Sequence, residues 1–441
     1  MKRKNFLLSV AALTVSASLV IAGCADMEGQ QIGADEGAFK ASLPTDTKGY
    51  ITVAGHYNNF ESLENEFVRF NEIYPDIELD YVFLDNYNET IIPALSSEEA
   101  PDIYYLPLWM IEKEKYEGVI DSAEDLAGDD TGIDMECLRE GLIYRDKDGA
   151  VPMVPVFSSA FGMLVNKDLF EKEGLSIPES YSELIQVCDS FKEKGYKDPI
   201  LTYNDASHML YAMIYPYFCA QVQQNADRLD ELNGLDAGAK EMLRSSLQLT
   251  EDFMEHGFVD TKACDDMDNA YEPMILRFFE GDIPMMFADG DTVSGTGKRE
   301  SMSDAFTASP FSYGFYPIPT TEDGGYFLDF APVSLAVNKN SQSLSIVNEF
   351  MRFLISTPEL GNMAQQKRLM TPTDDMSLDS IYSSFGDVKE DKVVYRQNLG
   401  LIDDPVVEMR IASWAVANKL MTVDEAVDAF GHLKETYADK Q

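Results

Sequence analysis

Two hydrophobic rhythms alternate along most of this chain. Tyr50 to Gly55 is a short apolar run, and in Phe60 to Ile73 the residues Leu63, Phe67 and Phe70 recur at helical spacing. Ile77 to Leu84 alternates as a strand, Tyr87 to Leu95 reads as a helix despite Pro93, and Pro101-Asp102-Ile103-Tyr104-Tyr105 is again a short strand. Strand, helix, strand, helix, strand predicts a parallel sheet with right-handed crossovers and an α/β fold class. From Ser180 to Gly281 the pattern is mostly helical. Gly281 to Phe287 is a helix end followed by a strand, and Tyr313 to Ile318 and Ser334 to Val337 are strands. Ile346 to Ile355, Asp404 to Lys419 and Val423 to Thr436 read as helices, the last two as a terminal pair. No internal repeat is present at solenoid periods.

The stretch from Val151 to Tyr196 carries the most local information. Val151 to Val156 is apolar and broken by Pro152 and Pro155, which suits an edge or crossing strand that can spare ladder donors. Phe161 to Val165 reads as a buried strand, with Asn166 as N-cap of a short helix that Gly174 stops. Ser180 caps a second helix, with Glu183 three residues on at capping-box spacing. Gly162, Asn166-Lys167-Asp168-Leu169-Phe170, Gly174-Leu175, Pro178, Tyr181 and Glu183-Leu184 keep the order G-x-x-x-N-K-D-L-F, G-L-x-x-P, W/Y-x-E-L. That order closely resembles the extracellular solute-binding proteins for sugars, the family that includes maltose-binding protein. The Pro101-Asp102-Ile103 strand and the Gly281 to Met286 segment are similar to the same family's pattern.

The amino terminus has the layout of an export signal. Lys2, Arg3 and Lys4 precede an apolar run from Phe6 to Ala22, too short and too polar for a membrane span. It ends in Ile21-Ala22-Gly23-Cys24, which looks like a bacterial lipobox whose cysteine carries the lipid; the alternative is an ordinary signal in which Cys24 is incidental. Ala25 to Lys48 reads as a flexible tether. The expected location is the outer face of the cell membrane. With 77 acidic against 34 basic residues and a net charge of −43, the chain repels nucleic acid. Cys137, Cys188, Cys219 and Cys264 form no close-spaced motif. Cys188 and Cys219 sit among apolar residues as buried thiols. His56, His208, His256 and His432 are scattered, which argues against zinc. Gly295-Thr296-Gly297-Lys298 lacks the spacing and the following hydroxyl of a phosphate-binding loop.

The resemblance implies a periplasmic-binding-protein-like type II fold. Two discontinuous lobes, 49–153 with 318–372 and 154–317 with 373–441, are joined by crossings near Val151 to Val156 and Phe315 to Pro319. It implies a sugar held between the lobes, delivery to the permease of an ATP-driven (ABC) importer, a monomeric chain, no cofactor, and no reaction catalysed. Loops at strand ends supply the candidate ligand contacts Tyr57, Asn58, Trp109, Phe157, Ser158, Tyr203, Asp289, Asp291 and Phe330. Aromatic faces beside carboxylates and amides suit a sugar's C–H faces and hydroxyls. Trp109 opens an apolar run and fits core packing as well as a site, and Asp291 fits a helix cap as well as a ligand contact. The maltose-binding pattern has a tryptophan where Asp291-Thr292 stand, and an aromatic where Val406 to Met409 stand, which weighs against a long maltodextrin. An exported glycoside hydrolase with two spaced carboxylates, or a surface adhesion lipoprotein of the same fold, are the competing readings. Cys24→Ala is expected to shift the protein from the membrane fraction to the medium; full retention of the variant in membranes would refute the lipid anchor.

Overall fold

In the computed structural model, residues 39–438 are described apart from 112, 263–270 and 376–378; Cys24, the signal segment and Cys264 lie outside them. The first strands run β1 (Gly49–Gly55), β2 (Ile77–Phe83), β3 (Ile103–Tyr105) and β4 (Val154–Pro155). β5 (Phe161–Asn166), β6 (Ile200–Leu201), β7 (Met285–Asp289) and β8 (Tyr313–Tyr316) follow, then a small hairpin of β9 (Pro319–Thr321) and β10 (Gly324–Gly325). β11 (Phe327–Asp329), β12 (Ser334–Val337) and β13 (Val393–Tyr395) complete the set. One sheet has the order β2-β1-β3-β12-β4 and another β6-β7-β5-β8, so the molecule has two α/β lobes. β1 pairs in parallel with β2 and β3, as the strand–helix alternation predicts, while β12 and β4 close that sheet antiparallel. β4, with Pro155, takes the edge, where a missing N–H costs least.

Local signals in the sequence map directly onto these elements. Asn166 accepts a hydrogen bond from the Leu169 N–H and caps Lys167–Glu173, and Gly174 ends that helix at φ 69°. Ser180 accepts from the Glu183 N–H and caps Tyr181–Glu193. At Gly162 an added Cβ would lie 2.4 Å from the Tyr316 carbonyl oxygen, so close packing of β5 on β8 requires glycine. The helix expected over Val423 to Thr436 is split. Val423–Asp428 ends, Gly431 turns at φ 95°, and Leu433–Thr436 follows. Buried Glu408, on Asp403–Ala417, accepts from the N–H groups of Gly431, Leu433 and Lys434, satisfying donors that a continuous helix would have used itself.

Each lobe has its own core. Ile51, Val53, Phe67, Phe70, Val337, Phe350 and Leu354 fill the first. Met163, Phe191, Met213, Phe218, Phe253, Met285 and Met409 fill the second, where the Cys188 and Cys219 side chains are buried. The N-terminal segment joins the first core ahead of β1. The Phe39 ring packs edge-on against Phe353 at 5.5 Å, and Glu349 accepts from the Ser42 N–H at 2.7 Å. Burial alone would raise the Glu349 carboxyl, but hydrogen bonds from Ser42, Tyr74 and Arg352 outweigh it and hold it down to about 2.

Among the described residues the chain passes between the lobes at three places. The first lies between β4 and β5. The second lies between β11 and β12, later than Phe315 to Pro319, because β8 stays in the second sheet and Ile318 packs in the second core. The third follows the helix Thr357–Lys367, which packs in the first lobe before Met370 joins the cluster around Phe315 and Tyr382. These segments meet by backbone pairing, Ser159 with Phe330 and Ser158 with Met370. A buried polar knot binds them. Arg139 donates from Nε to Asp329 at 3.0 Å and from Nη1 to the Thr371 and Thr373 carbonyls at 2.9 and 2.7 Å, and Ser158 Oγ donates to the other Asp329 oxygen. Burial pushes the Asp329 carboxyl up, while Arg139 and Ser158 pull against it. Asp329→Asn leaves Arg139 buried without a counter-charge and is expected to cost about 3–5 kcal/mol in urea unfolding. Arg139→Met with Asp329→Leu is expected to be more stable than either single variant. A single-variant loss below about 1 kcal/mol, the range of an exposed pair, would contradict the knot's structural role.

Candidate functional site

A cleft of about 1000 Å³ opens between the lobes beside this knot. Tyr57 and Phe60 enter it from the segment after β1, Phe157 from the first crossing, and Gln365, Gln366, Lys367, Arg368 and Leu369 from the end of Thr357–Lys367 and the turn that follows. The second lobe contributes Tyr203, Asp205 and His208 after β6, Tyr271, and the helix Gly290–Met302 as far as Arg299, with Asp289 before it. Aromatic rings and carboxylates thus share one cavity, the arrangement that recognises an uncharged ring bearing hydroxyls.

The local chemistry explains how these side chains are held. Asp289 ends β7 and caps Gly290–Met302, accepting through Oδ1 from the Thr292 N–H at 2.9 Å and from Thr292 Oγ1 at 2.8 Å. Gly290 starts that helix against the first crossing, since an added Cβ would lie 1.8 Å from Ser159 Oγ. Asp291 is therefore the second residue of the helix and not its cap. Its side chain is open to cleft water, yet the walls of both lobes desolvate it. That desolvation, with the Asp289 carboxylate beside it, pushes Asp291 up to about 7, and Lys367 opposes the shift. Tyr203 is 3 % exposed, and its hydroxyl has no hydrogen-bond partner among the described residues. A buried hydroxyl left in this state is costly, and a ligand group can satisfy it. His208 Nδ1 lies 2.9 Å from Asp205 Oδ1, with its ring edge-on to Tyr203.

On the opposite wall, helix Glu61–Ile73 clamps Thr357–Lys367 through a two-bond pair, Arg69 to Glu359 at 2.6 and 2.9 Å, beside fully buried Glu66. Arg368 then adopts a left-handed φ of 50°. Its guanidinium reaches the second lobe, donating to Thr296 Oγ1 at 3.0 Å, Glu300 at 2.7 Å and the Tyr313 hydroxyl at 3.0 Å. A further ion pair, Lys113 to Asp403 at 2.8 Å, also joins the lobes.

Of the residues singled out from sequence, Tyr57, Phe157, Tyr203, Asp289 and Asp291 converge on the cleft. Ser158 is buried against Asp329, and Phe330 stacks on Phe161 at 4.9 Å. Trp109 packs against Tyr116 and Lys113, and Asn58 is exposed beyond the cleft lining. Phe60, Tyr271, His208, Lys298 and the Gln365–Arg368 run were missed. Apart from Lys298, which lies within Gly290–Met302, they come from helix ends and turns that tertiary packing carries to the cleft. The one signal for the last group is Gln-Gln-Lys-Arg, four polar residues that end an amphipathic helix without a glycine stop.

The raised Asp291 carboxyl has a consequence for stability. The folded state holds its proton to higher pH than the unfolded chain, so its contribution is intact below about pH 4. That contribution declines as pH rises toward about 7. Asp291→Asn is expected to raise the melting temperature of the ligand-free protein at pH 8 and to leave it unchanged near pH 4. Equal shifts at both pH values would show that burial does not perturb this group.

The chain is similar in fold to several solved proteins at low identity. RafE from Streptococcus pneumoniae superposes with a TM-score of 0.66 at 16% identity, covering 89% of this chain and 100% of that one; a second RafE structure holds raffinose. The GacH receptor of Streptomyces glaucescens, solved unliganded and with acarbose, gives 0.65 at 18% identity over 90% and 100%. The sugar transporter protein BL01359 of Bacillus licheniformis, solved with stachyose, gives 0.59 at 18% identity over 89% and 100%. No curated protein sequence matches the chain. The sequence pattern of the bacterial extracellular solute-binding proteins matches residues 54–359, more than half of the chain, and the protein belongs to that family.

Proposed function

We propose that this protein captures a carbohydrate in the cleft between its lobes and hands it to the permease of an ABC importer, acting as a monomer. The observation that carries the reading is the cleft itself. Tyr57 and Tyr271 present partly exposed rings backed by buried Phe60 and Phe157, Asp289 and Asp291 supply strong acceptors, and the buried Tyr203 hydroxyl lacks a partner among the described residues. The raffinose, stachyose and acarbose complexes of proteins with the same fold support a saccharide over other solutes. In this reading one lobe comprises 49–155 with 332–369 and the other 160–329 with 373–438. The segments that meet at Ser158, Phe330 and Met370 are the hinge over which the lobes close. Lipid on Cys24 holds the protein at the outer face of the membrane, and no cofactor is used.

A second reading rests on one specific feature. Two neighbouring cleft carboxyls, Asp289 and Asp291, the latter pushed up to about 7 by desolvation and by Asp289, are also a glycosidase arrangement. Recovery of the bound sugar unchanged after long incubation separates binding from hydrolysis.

The test is a thermal-shift screen of the mature protein against mono- and oligosaccharides that include raffinose and stachyose. A cognate sugar at a hundredfold excess over Kd is expected to stabilise by about 2.7 kcal/mol. Tyr203→Phe is expected to weaken that sugar by about 0.5–1.5 kcal/mol, the worth of one neutral hydrogen bond, without lowering the melting temperature of the ligand-free protein. A panel in which no saccharide shifts the melting curve would overturn the carbohydrate reading.

A further inference from the structure

The faces of Tyr57 and Phe60 are already occupied. Their ring centroids lie 5.2 Å apart with planes tilted by 54°, so they form a V on the first-lobe wall. The Lys367 ammonium stands 5.7 Å from the Tyr57 centroid and 5.6 Å from the Phe60 centroid. Among the described residues, Lys367 makes no hydrogen bond and no ion pair. It is half-buried, and burial shifts its amine downward, with Glu61 and Asp291 resisting. The ring faces are the closest contacts that hold this ammonium, and such a hold is weak. Its helix is anchored elsewhere by the Arg69–Glu359 pair, and Lys367 is the last helical residue, so its side chain can swing without moving the backbone. Across the cleft Asp291 has no side-chain partner among the described residues, and its charge is felt at Lys367.

A sugar ring stacks on an aromatic face through its C–H bonds and needs the same space that the ammonium fills. We propose that Lys367 is a specificity-determining placeholder. It covers the Tyr57 and Phe60 faces in the empty cleft, and an incoming sugar ring displaces it toward Asp291 on the opposite lobe. The inference rests on the carbohydrate reading. Two consequences follow. A ligand without an apolar ring face cannot take the place of the ammonium and leaves the V closed. A ligand with such a face also drives a lysine–carboxylate contact that exists only across the cleft, so ring recognition and approach of the two lobes are coupled.

Reductive methylation with 13C-formaldehyde places an NMR label on each lysine while keeping its charge. The resonance absent from Lys367→Arg identifies Lys367. In the ligand-free protein this resonance is expected upfield of the other lysines because of the ring currents of Tyr57 and Phe60. Saturation with the sugar that gives the largest melting shift in the screen is expected to abolish the upfield displacement. An undisplaced resonance in the ligand-free protein, or one that stays displaced at saturation, overturns the proposal and leaves carbohydrate binding standing. A double-mutant cycle gives a second reading. Lys367→Met and Asp291→Asn are expected to weaken sugar binding by factors that do not multiply in the combined variant; factors that multiply would show that the two never pair. If no panel sugar binds, the carbohydrate reading fails and this inference falls with it.

Discussion

The Arg139–Asp329 pair is the interaction on which the rest of the structure depends. It lies where three chain crossings meet, and its members sit 7 % and 1 % exposed. Two charges in such a place are tolerable only with nearly complete hydrogen bonding. Asp329 uses one oxygen for Arg139 and the other for Ser158, while Arg139 also gathers the Thr371 and Thr373 carbonyls. Each of these partners belongs to a different crossing segment or its flank. Phe157 and Leu369, which line the cleft, are immediate neighbours of Ser158 and Met370. The knot therefore sets the cleft floor and the relation between its walls through the same atoms.

From that floor the walls differ in character. The second-lobe wall is built on strand ends and a helix N-terminus, so Asp289 is rigid: it caps Gly290–Met302 and lines the cleft at once. The first-lobe wall is built on rings and on the end of Thr357–Lys367, where Lys367 makes no hydrogen bond and no ion pair among the described residues. A fixed acceptor facing an adaptable ring platform suits a ligand with one apolar face and a rim of hydroxyls. The net charge of −43 does not decide this chemistry, because within the cleft Lys298, Arg299, Lys367 and Arg368 offset the acids.

Much of the fold was legible where the signal is local. Asn166, Gly174 and Ser180 announce helix ends through their own side chains or lack of one, and Leu63, Phe67 and Phe70 announce a buried helical face. The strand-end loops led to five cleft residues because open α/β sheets place ligands there. Ser158 and Phe330 misled for a physical reason: they sit at crossing segments, where a polar or aromatic side chain holds the lobes together as readily as it touches a ligand. The third crossing, through Met370-Thr371-Pro372-Thr373, has no strand-like run to mark it. The Gln365–Arg368 side of the cleft was hidden because charged residues at a helix end ordinarily face solvent, and only packing against the other lobe turns them inward. The late second crossing follows from Ile318 and Phe327, whose burial in the second lobe's core and its satellite cluster cannot be read from two prolines.

The most direct test of the account is a crystal structure of the mature protein with the saccharide that stabilises it most. The account predicts a sugar between the two sheets. One ring face should lie on Tyr57 or Phe60, with hydroxyls on Asp289 and Asp291 and a hydrogen bond to Tyr203 Oη. A sugar bound outside this cleft, or bound within it with Tyr203 and both carboxylates untouched, would contradict it.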